Sequence, residues 1–192
     1  MFIPQKIADE IPAYKKNLER FLAGELQDDF FRGIRVPWGF YAQRGGALVM
    51  ARMRVPNGIL TGTQLERLGR AANRYADGAL HLTTRQDIQI HNLPVERTID
   101  LIEDLKEVHL SPRAGGGNTI RNITGCYRSG ICAREQREVY KTAWGLTEYL
   151  LSLDESYAMP RKLKIAFSGC ARDCALTGVN DIGFIAHADG FK

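Results

Sequence analysis

The chain has 192 residues, enough for one large or two small hydrophobic cores, and 44% of it is hydrophobic, an ordinary globular proportion. Its formal net charge of +4 is too weak to indicate nucleic acid. No apolar run reaches the ~20 residues a membrane span needs, and the N-terminus, MFIPQKIADEIPAYKKNLERF, lacks an apolar secretory core and a small-residue cleavage site, so a cytoplasmic protein is expected.

Residues 1–40 read as an N-terminal helical extension, because Ile11, Tyr14, Leu18, Phe21 and Leu22 recur at helical spacing. Asp28 to Pro37 reads as a connecting stretch. The segment ALVMARMRV alternates as a strand, with Leu48, Met50, Arg52 and Arg54 on one face. Pro56-Asn57-Gly58 is a turn signal, and Thr61 followed by Gln64 resembles a capping box opening a helix over 62–76. That helix is expected to bury Leu65, Leu68 and Ala72 and to stop at Asp77-Gly78. HLTTRQDIQIH alternates like a strand broken at Thr84-Arg85. A second helix follows at 95–108 on the stripe Ile99, Ile102 and Leu105. Strand, helix, strand, helix is the order of a ferredoxin-like α+β unit, a name that describes a fold and carries no iron with it. Beyond the loop Gly115-Gly116-Gly117-Asn118 the expectations are a long helix over 134–153, a strand KLKIAFSGC ending at a cysteine turn, and a strand DIGFIAH. The domain division expected is 1–40, then 41–112, then 113–192.

All four cysteines fall into two pairs, Cys126 with Cys132 as C-x5-C and Cys170 with Cys174 as C-x3-C. Disulfides are not expected in a reducing compartment. A cubic iron–sulfur cluster needs thiolates converging from loops, and two close pairs leave only two loops to bring together. Gly125, Gly130 and Gly169 allow tight turns there, and backbone N–H groups suit thiolate and sulfide charge. Structural zinc more often uses shorter spacings, and four unrelated core cysteines would leave the same trace. Spacing alone keeps all three readings.

The ordered set ARMRVPNG, LTTRQDIQIH, IRNITGC and PRKLKIAFSGC with its C-x3-C, from Phe40 to Phe184, resembles the sirohaem-dependent sulfite and nitrite reductases. The resemblance implies a ferredoxin-like half-domain followed by a mixed α/β domain that holds sirohaem and a 4Fe–4S cluster. It implies six-electron reduction of sulfite to sulfide or of nitrite to ammonia. By motif, Cys126, Cys132, Cys170 and Cys174 become cluster ligands, with Cys174 bridging to the sirohaem iron. Arg85 becomes the guanidinium that grips a sirohaem carboxylate. Arg52, Thr83, Gln86, Gln89, His91 and Asn122 are further cofactor candidates, although Gln89 and His91 also fit plain strand alternation. Arg54, Arg121, Lys162 and Lys164 fall where the family places cations for the anion. Lys162 and Lys164 equally suit a solvated strand face, and Arg161 is expected to face away.

The implied partners are sulfite or nitrite and an electron donor, either a ferredoxin or a reduced nicotinamide or flavin partner, with neither nucleic acid nor membrane. Members of the family continue with more sheet and usually another repeat. The chain is therefore expected to be truncated at its C-terminus, inactive alone, and either self-associating or lacking a second repeat. Two alternatives are a relative of the cobalamin-pathway monooxygenases on the same scaffold and a non-catalytic iron–sulfur electron-transfer module. The paired basic motifs weigh against the module, since an electron carrier needs no anion pocket.

Overall fold

The computed structural model describes residues 4–192, folded around two four-stranded sheets. The first sheet contains β1 (Phe40–Ala42), β2 (Leu48–Met53), β3 (Leu80–Leu82) and β4 (Ile88–Pro94), in the order β1-β2-β4-β3 with every pair antiparallel. On β2, Val49, Ala51 and Met53 enter the core while Arg52 faces the other way, as alternation requires. On β4, Ile88 and Ile90 face the core, and so does Leu93, three residues further on. The register shifts there because Asn92 adopts φ 56°, a bulge that returns Leu93 to the apolar side. Asn92 is held in place by its amide, which donates to Asp77 at 2.6 Å, and by its N–H, which donates to Gln43 Oε1 at 2.7 Å.

Two helices cover the core face. α3 (Gly62–Tyr75) begins at the expected capping box: Gln64 N–H donates to Thr61 Oγ1 at 3.2 Å, and Thr61 N–H to Gln64 Oε1 at 3.0 Å. Its buried side is Gln64, Leu68, Ala71 and Ala72. Leu65, expected inside, is 51% exposed, because the capping box turns Gln64 inward to donate to Val108 O. α4 (Thr98–Lys106) buries Leu101, Ile102 and Leu105, with Ile99 only partly covered.

The N-terminal helices complete this same core. α1 (Gln5–Leu22) buries Ile7, Ile11, Tyr14 and Leu18, while Leu22 points to solvent. Asp28 to Pro37 is largely helical and not merely a connection: α2 spans Asp28–Arg35. Its start carries Asp28 and Asp29 and its last turn Arg32 and Arg35, so the charges complement the helix dipole. Phe31 reaches the core, where it packs near Phe21 and Tyr14.

The second sheet follows the order β5 (Thr124–Gly125), β6 (Ile165–Ser168), β7 (Ile182–His187), β8 (Gly190–Phe191). β5–β6 and β6–β7 are parallel, and β8 is antiparallel to β7. β6 is buried along its whole length, the signature of a strand covered on both faces. The helix expected over 134–153 forms only as α5 (Tyr140–Ser152), because residues 133–139 make turns that pack on the cysteine loops. A smaller core, with Ile123, Val139, Ala143, Ile165 and Phe167, lies under this sheet. The whole is α+β, a ferredoxin-like half-domain followed by a mixed unit. Among the described residues no helix is long and apolar enough to cross a membrane.

Candidate functional site

The two sheets meet at the β3–β4 hairpin. Thr83 Oγ1 accepts the N–H groups of Arg85 and Asp87 at 3.3 and 3.0 Å, so its hydroxyl shapes the turn. Gln86, at φ 60°, projects toward the second sheet. There it forms a two-point clamp with Gly125, its Nε2 donating to the carbonyl at 2.8 Å and its Oε1 accepting the N–H at 2.9 Å. Gly125 must lack a side chain, because a Cβ would stand 2.1 Å from Asn57 Oδ1. The Arg85 guanidinium donates to Asn122 O at 2.7 Å and to Asn180 Oδ1 at 2.8 Å. Asn122, buried, returns its amide to Arg85 O at 3.0 Å and to Val55 O at 2.8 Å.

Arg54 follows β2 and is 2% exposed. It donates to the carbonyls of Ala114, Ile120 and Arg121, binding the segment that connects the two sheets. Burial pulls its pKa down to about 10. Arg121 donates to Gly117 O at 3.2 Å and lies near the Tyr41 hydroxyl. Arg52 stacks over Tyr41 on the open sheet face and donates to Gly115 O. With the Gln89 amide oriented to satisfy its neighbours, its oxygen accepts from Arg52 at 2.8 and 3.0 Å and its nitrogen donates to His91. Arg52, Gln89 and His91 thus form one chain across that face. Lys162 is exposed before β6, and Lys164 is half-buried, its N–H donating to Asp181 at 2.8 Å.

Asp87 and Asn57 are the residues sequence reasoning missed at this junction. Asp87 is 5% exposed, and desolvation pushes its pKa up to about 6 against the pull of Arg54, Arg52, Arg121 and Arg85. Among the described residues its Oδ1 has no hydrogen-bond partner, and neither have Arg54 Nε, Arg85 Nε, Asn57 Oδ1 and Asn122 Oδ1. A carboxylate inside an alternating strand motif was the available signal, obscured because alternation alone sends half of such residues to solvent.

Two cavities flank Gln86. One, of about 380 Å³, is lined by Arg85, Gln86, Lys164, Cys174, Tyr127, Leu176 and Asn180, among others. The other, of about 360 Å³, is lined by Thr83, Gln86, Asp87 and Cys126, together with Val55, Leu82 and Val139. The first unites a cofactor candidate from the hairpin, a basic residue from the approach to β6 and a cysteine from the turn after it.

All four cysteines are free thiols. Cys126 lies within electrostatic reach of Cys174 and Cys170, and the N–H groups of Arg128 and Gly169 donate to its sulfur. Burial outweighs those donors and raises its thiol pKa. Among the described residues no three Cys, His, Asp or Glu side chains form a ready-made metal site. The donor set nevertheless fits a 4Fe–4S cluster: four thiols on two loops, with backbone N–H groups already aimed at one sulfur. The unpartnered Nε donor of Arg85, beside the cavity that also holds Cys174, fits a carboxylate-rich ring such as sirohaem.

Comparison with known proteins defines the class first. Residues 41–108 match the nitrite/sulfite reductase ferredoxin-like half domain, and residues 116–192 match the nitrite and sulphite reductase 4Fe-4S domain. The chain thus carries two consecutive domains of one family. It belongs to the nitrite and sulfite reductase family. It is 33% identical to the assimilatory ferredoxin-dependent nitrite reductase of Haloferax mediterranei, an alignment covering 92% of this chain and 32% of the relative. It is 32% identical to a ferredoxin–nitrite reductase of Leptolyngbya laminosa, over 93% of this chain and 37% of that protein. A sulfite reductase (NADPH) hemoprotein beta-component of Nitrobacter winogradskyi is 28% identical, over 97% of this chain and 36% of the relative. Among solved structures the fold resembles the Mycobacterium tuberculosis NirA protein, with a TM-score of 0.78 at 23% identity, covering 88% of this chain and 35% of that one. The chain therefore spans about a third of the length of the curated relatives it matches.

Proposed function

We propose that this chain supplies one half-domain and the cluster-bearing domain of a reductase that reduces nitrite or sulfite at a coupled sirohaem and 4Fe–4S centre. The observation that carries this reading is the cavity shared by Arg85, Gln86, Lys164 and Cys174. Cys126, Cys132, Cys170 and Cys174 would hold the cluster, with Cys174 at the cavity wall. Arg85, with Arg52, Thr83, Gln86, Gln89, His91 and Asn122, would orient the carboxylate-rich ring. When bound, the two cofactors supply the electrons and the iron to which the anion binds.

The protein's own part is electrostatic. Arg121, Lys162 and Lys164 raise the local concentration of a small oxyanion and stabilise negative charge as it develops; Arg54, buried and bonded to three backbone carbonyls, instead holds the segment that carries Arg121. Lysine ammonium groups also hold exchangeable protons for the oxygens that leave as water. The electron donor is a ferredoxin or a reduced nicotinamide or flavin partner.

Anaerobic reconstitution with iron, sulfide and sirohaem tests the reading. The expected product carries about five iron per chain, four in the cluster and one in sirohaem, with about four sulfide, together with visible bands that a cluster alone lacks. Stoichiometric zinc in natively purified protein, with no cluster after reconstitution, would sink it. A cluster without sirohaem would favour an electron-transfer module.

A further inference from the structure

The loop from Cys126 to Cys132 forms no regular element. Two backbone bonds fold it, from Ser129 N–H to Cys126 O at 3.0 Å and from Ile131 N–H to Arg128 O at 3.2 Å. A further restraint comes from outside the loop. Glu135 accepts the Ser129 hydroxyl on one carboxylate oxygen and the Gly130 N–H on the other, both at 2.6 Å. Ser129 Oγ in turn accepts Val139 N–H at 3.2 Å, at the start of α5.

The same carboxylate reaches the second cysteine loop. A Cβ on Gly169 would stand 3.0 Å from Glu135 Oε1, and Gln136 N–H donates to Gly169 O at 2.8 Å. Gly169 directly precedes Cys170, and its N–H donates to the sulfur of Cys126. Glu135 therefore bonds the first segment that carries a cysteine pair and lies against the second, which the next residue, Gln136, holds by its N–H.

We propose that Glu135 is a positioning residue of the four-cysteine site, locking the Cys126–Cys132 loop against the Cys170 loop and setting a fixed negative charge beside the thiolates. The proposal rests on reading these cysteines as cluster ligands. Two charge-assisted hydrogen bonds hold a loop that would otherwise have to be ordered when the cluster binds. A cluster's potential follows net charge and hydrogen bonding around its sulfurs, so a nearby carboxylate disfavours the added electron.

The test uses the full chain with Glu135→Gln and Glu135→Ala. Glu135→Gln keeps the volume and one acceptor but loses the charge and the second acceptor. In the cluster-free protein, deuterium exchange at the Gly130 amide should quicken about ten-fold in Glu135→Ala, the loss of one charge-assisted hydrogen bond, and by a smaller factor in Glu135→Gln, where a neutral acceptor remains. After anaerobic reconstitution, Glu135→Ala should lose iron to a chelator about ten-fold faster than wild type, as when a partner behind a metal ligand is removed. Glu135→Gln should bind a cluster whose midpoint potential, read by EPR titration, lies above that of wild type. Unchanged Gly130 exchange together with an unchanged potential overturns the proposal. A wild-type chain that takes up no cluster overturns the cofactor reading beneath it, and is recognised because Gly130 exchange still quickens in the variants.

Discussion

At the scale of single residues, Asp87 makes the sharpest claim on solution behaviour. Its ordinary carboxylate value of 3.8 is raised to about 6 by burial. The folded state therefore holds a proton that the unfolded state has released between those two values. Stability from this group is greatest below the unfolded value and falls as pH rises toward 6. A shift of this size costs about 3 kcal/mol at neutral pH. Asp87→Asn should thus raise the denaturation midpoint at pH 8 and leave it nearly unchanged at pH 4; equal effects at both would show that Arg54 and its neighbours already neutralise the carboxylate. Two further substitutions separate the basic residues by task in reconstituted, intact enzyme. Lys164→Ala should lower turnover about 10²–10³-fold at near-normal sirohaem content, as for a lost oxyanion donor. Arg85→Ala should lower sirohaem content itself, because a carboxylate loses its fork. Normal turnover in Lys164→Ala with full cofactor would place that side chain outside the anion site.

Among the elements, the hairpin and the start of α3 show opposite degrees of legibility. The capping box at Thr61 and Gln64 was readable because its chemistry is local, and Thr61→Ala should cost about 1 kcal/mol in urea denaturation. The inward turn of Gln64 that leaves Leu65 in solvent was not readable, because it depends on the carbonyl of Val108, over forty residues away. α2 escaped notice because Asp28–Arg35 is short and its helical signal is mostly the ordering of charges. The bulge at Asn92 likewise needs Asp77 and Gln43, distant partners that alternation cannot reveal. In the candidate site, the motif residues were nameable in advance. The commitment of Arg54 to three backbone carbonyls was not, since nothing in ARMRVPNG says which arginine folds inward. Gly125→Ala gathers these points into one measurement. The added Cβ meets Asn57 and should loosen the grip of Gln86, so exchange at the residue 125 amide should quicken while the Thr61–Gln64 cap stays protected.

For the whole molecule, the two cores are unequal, the first built from large side chains of α1 to α4 and the first sheet, the second from far fewer. The two tryptophans report them separately, Trp38 buried in the first core and Trp144 on α5 beside the second. In cluster-free protein, Trp144 fluorescence in Trp38→Phe should change at lower urea than Trp38 fluorescence in Trp144→Phe. Reconstitution should move mainly the Trp144 transition, because a ligand stabilises the state that binds it. Coincident transitions before and after reconstitution would mean that the chain unfolds as one unit.

Arg54 also gives the molecule a direction in time. It lies at the end of β2, and its three carbonyl partners, Ala114, Ile120 and Arg121, are all made later. As the chain leaves the ribosome, β1 to β4 can pair before residues 114–121 emerge, and N-terminal units generally fold first. The guanidinium then waits as a mould for the incoming backbone, which must close on it to lie beside Leu163 and launch β5. The second sheet is in this sense cast on the first, and a circular permutant that begins near residue 115 would have to make the casting before the mould.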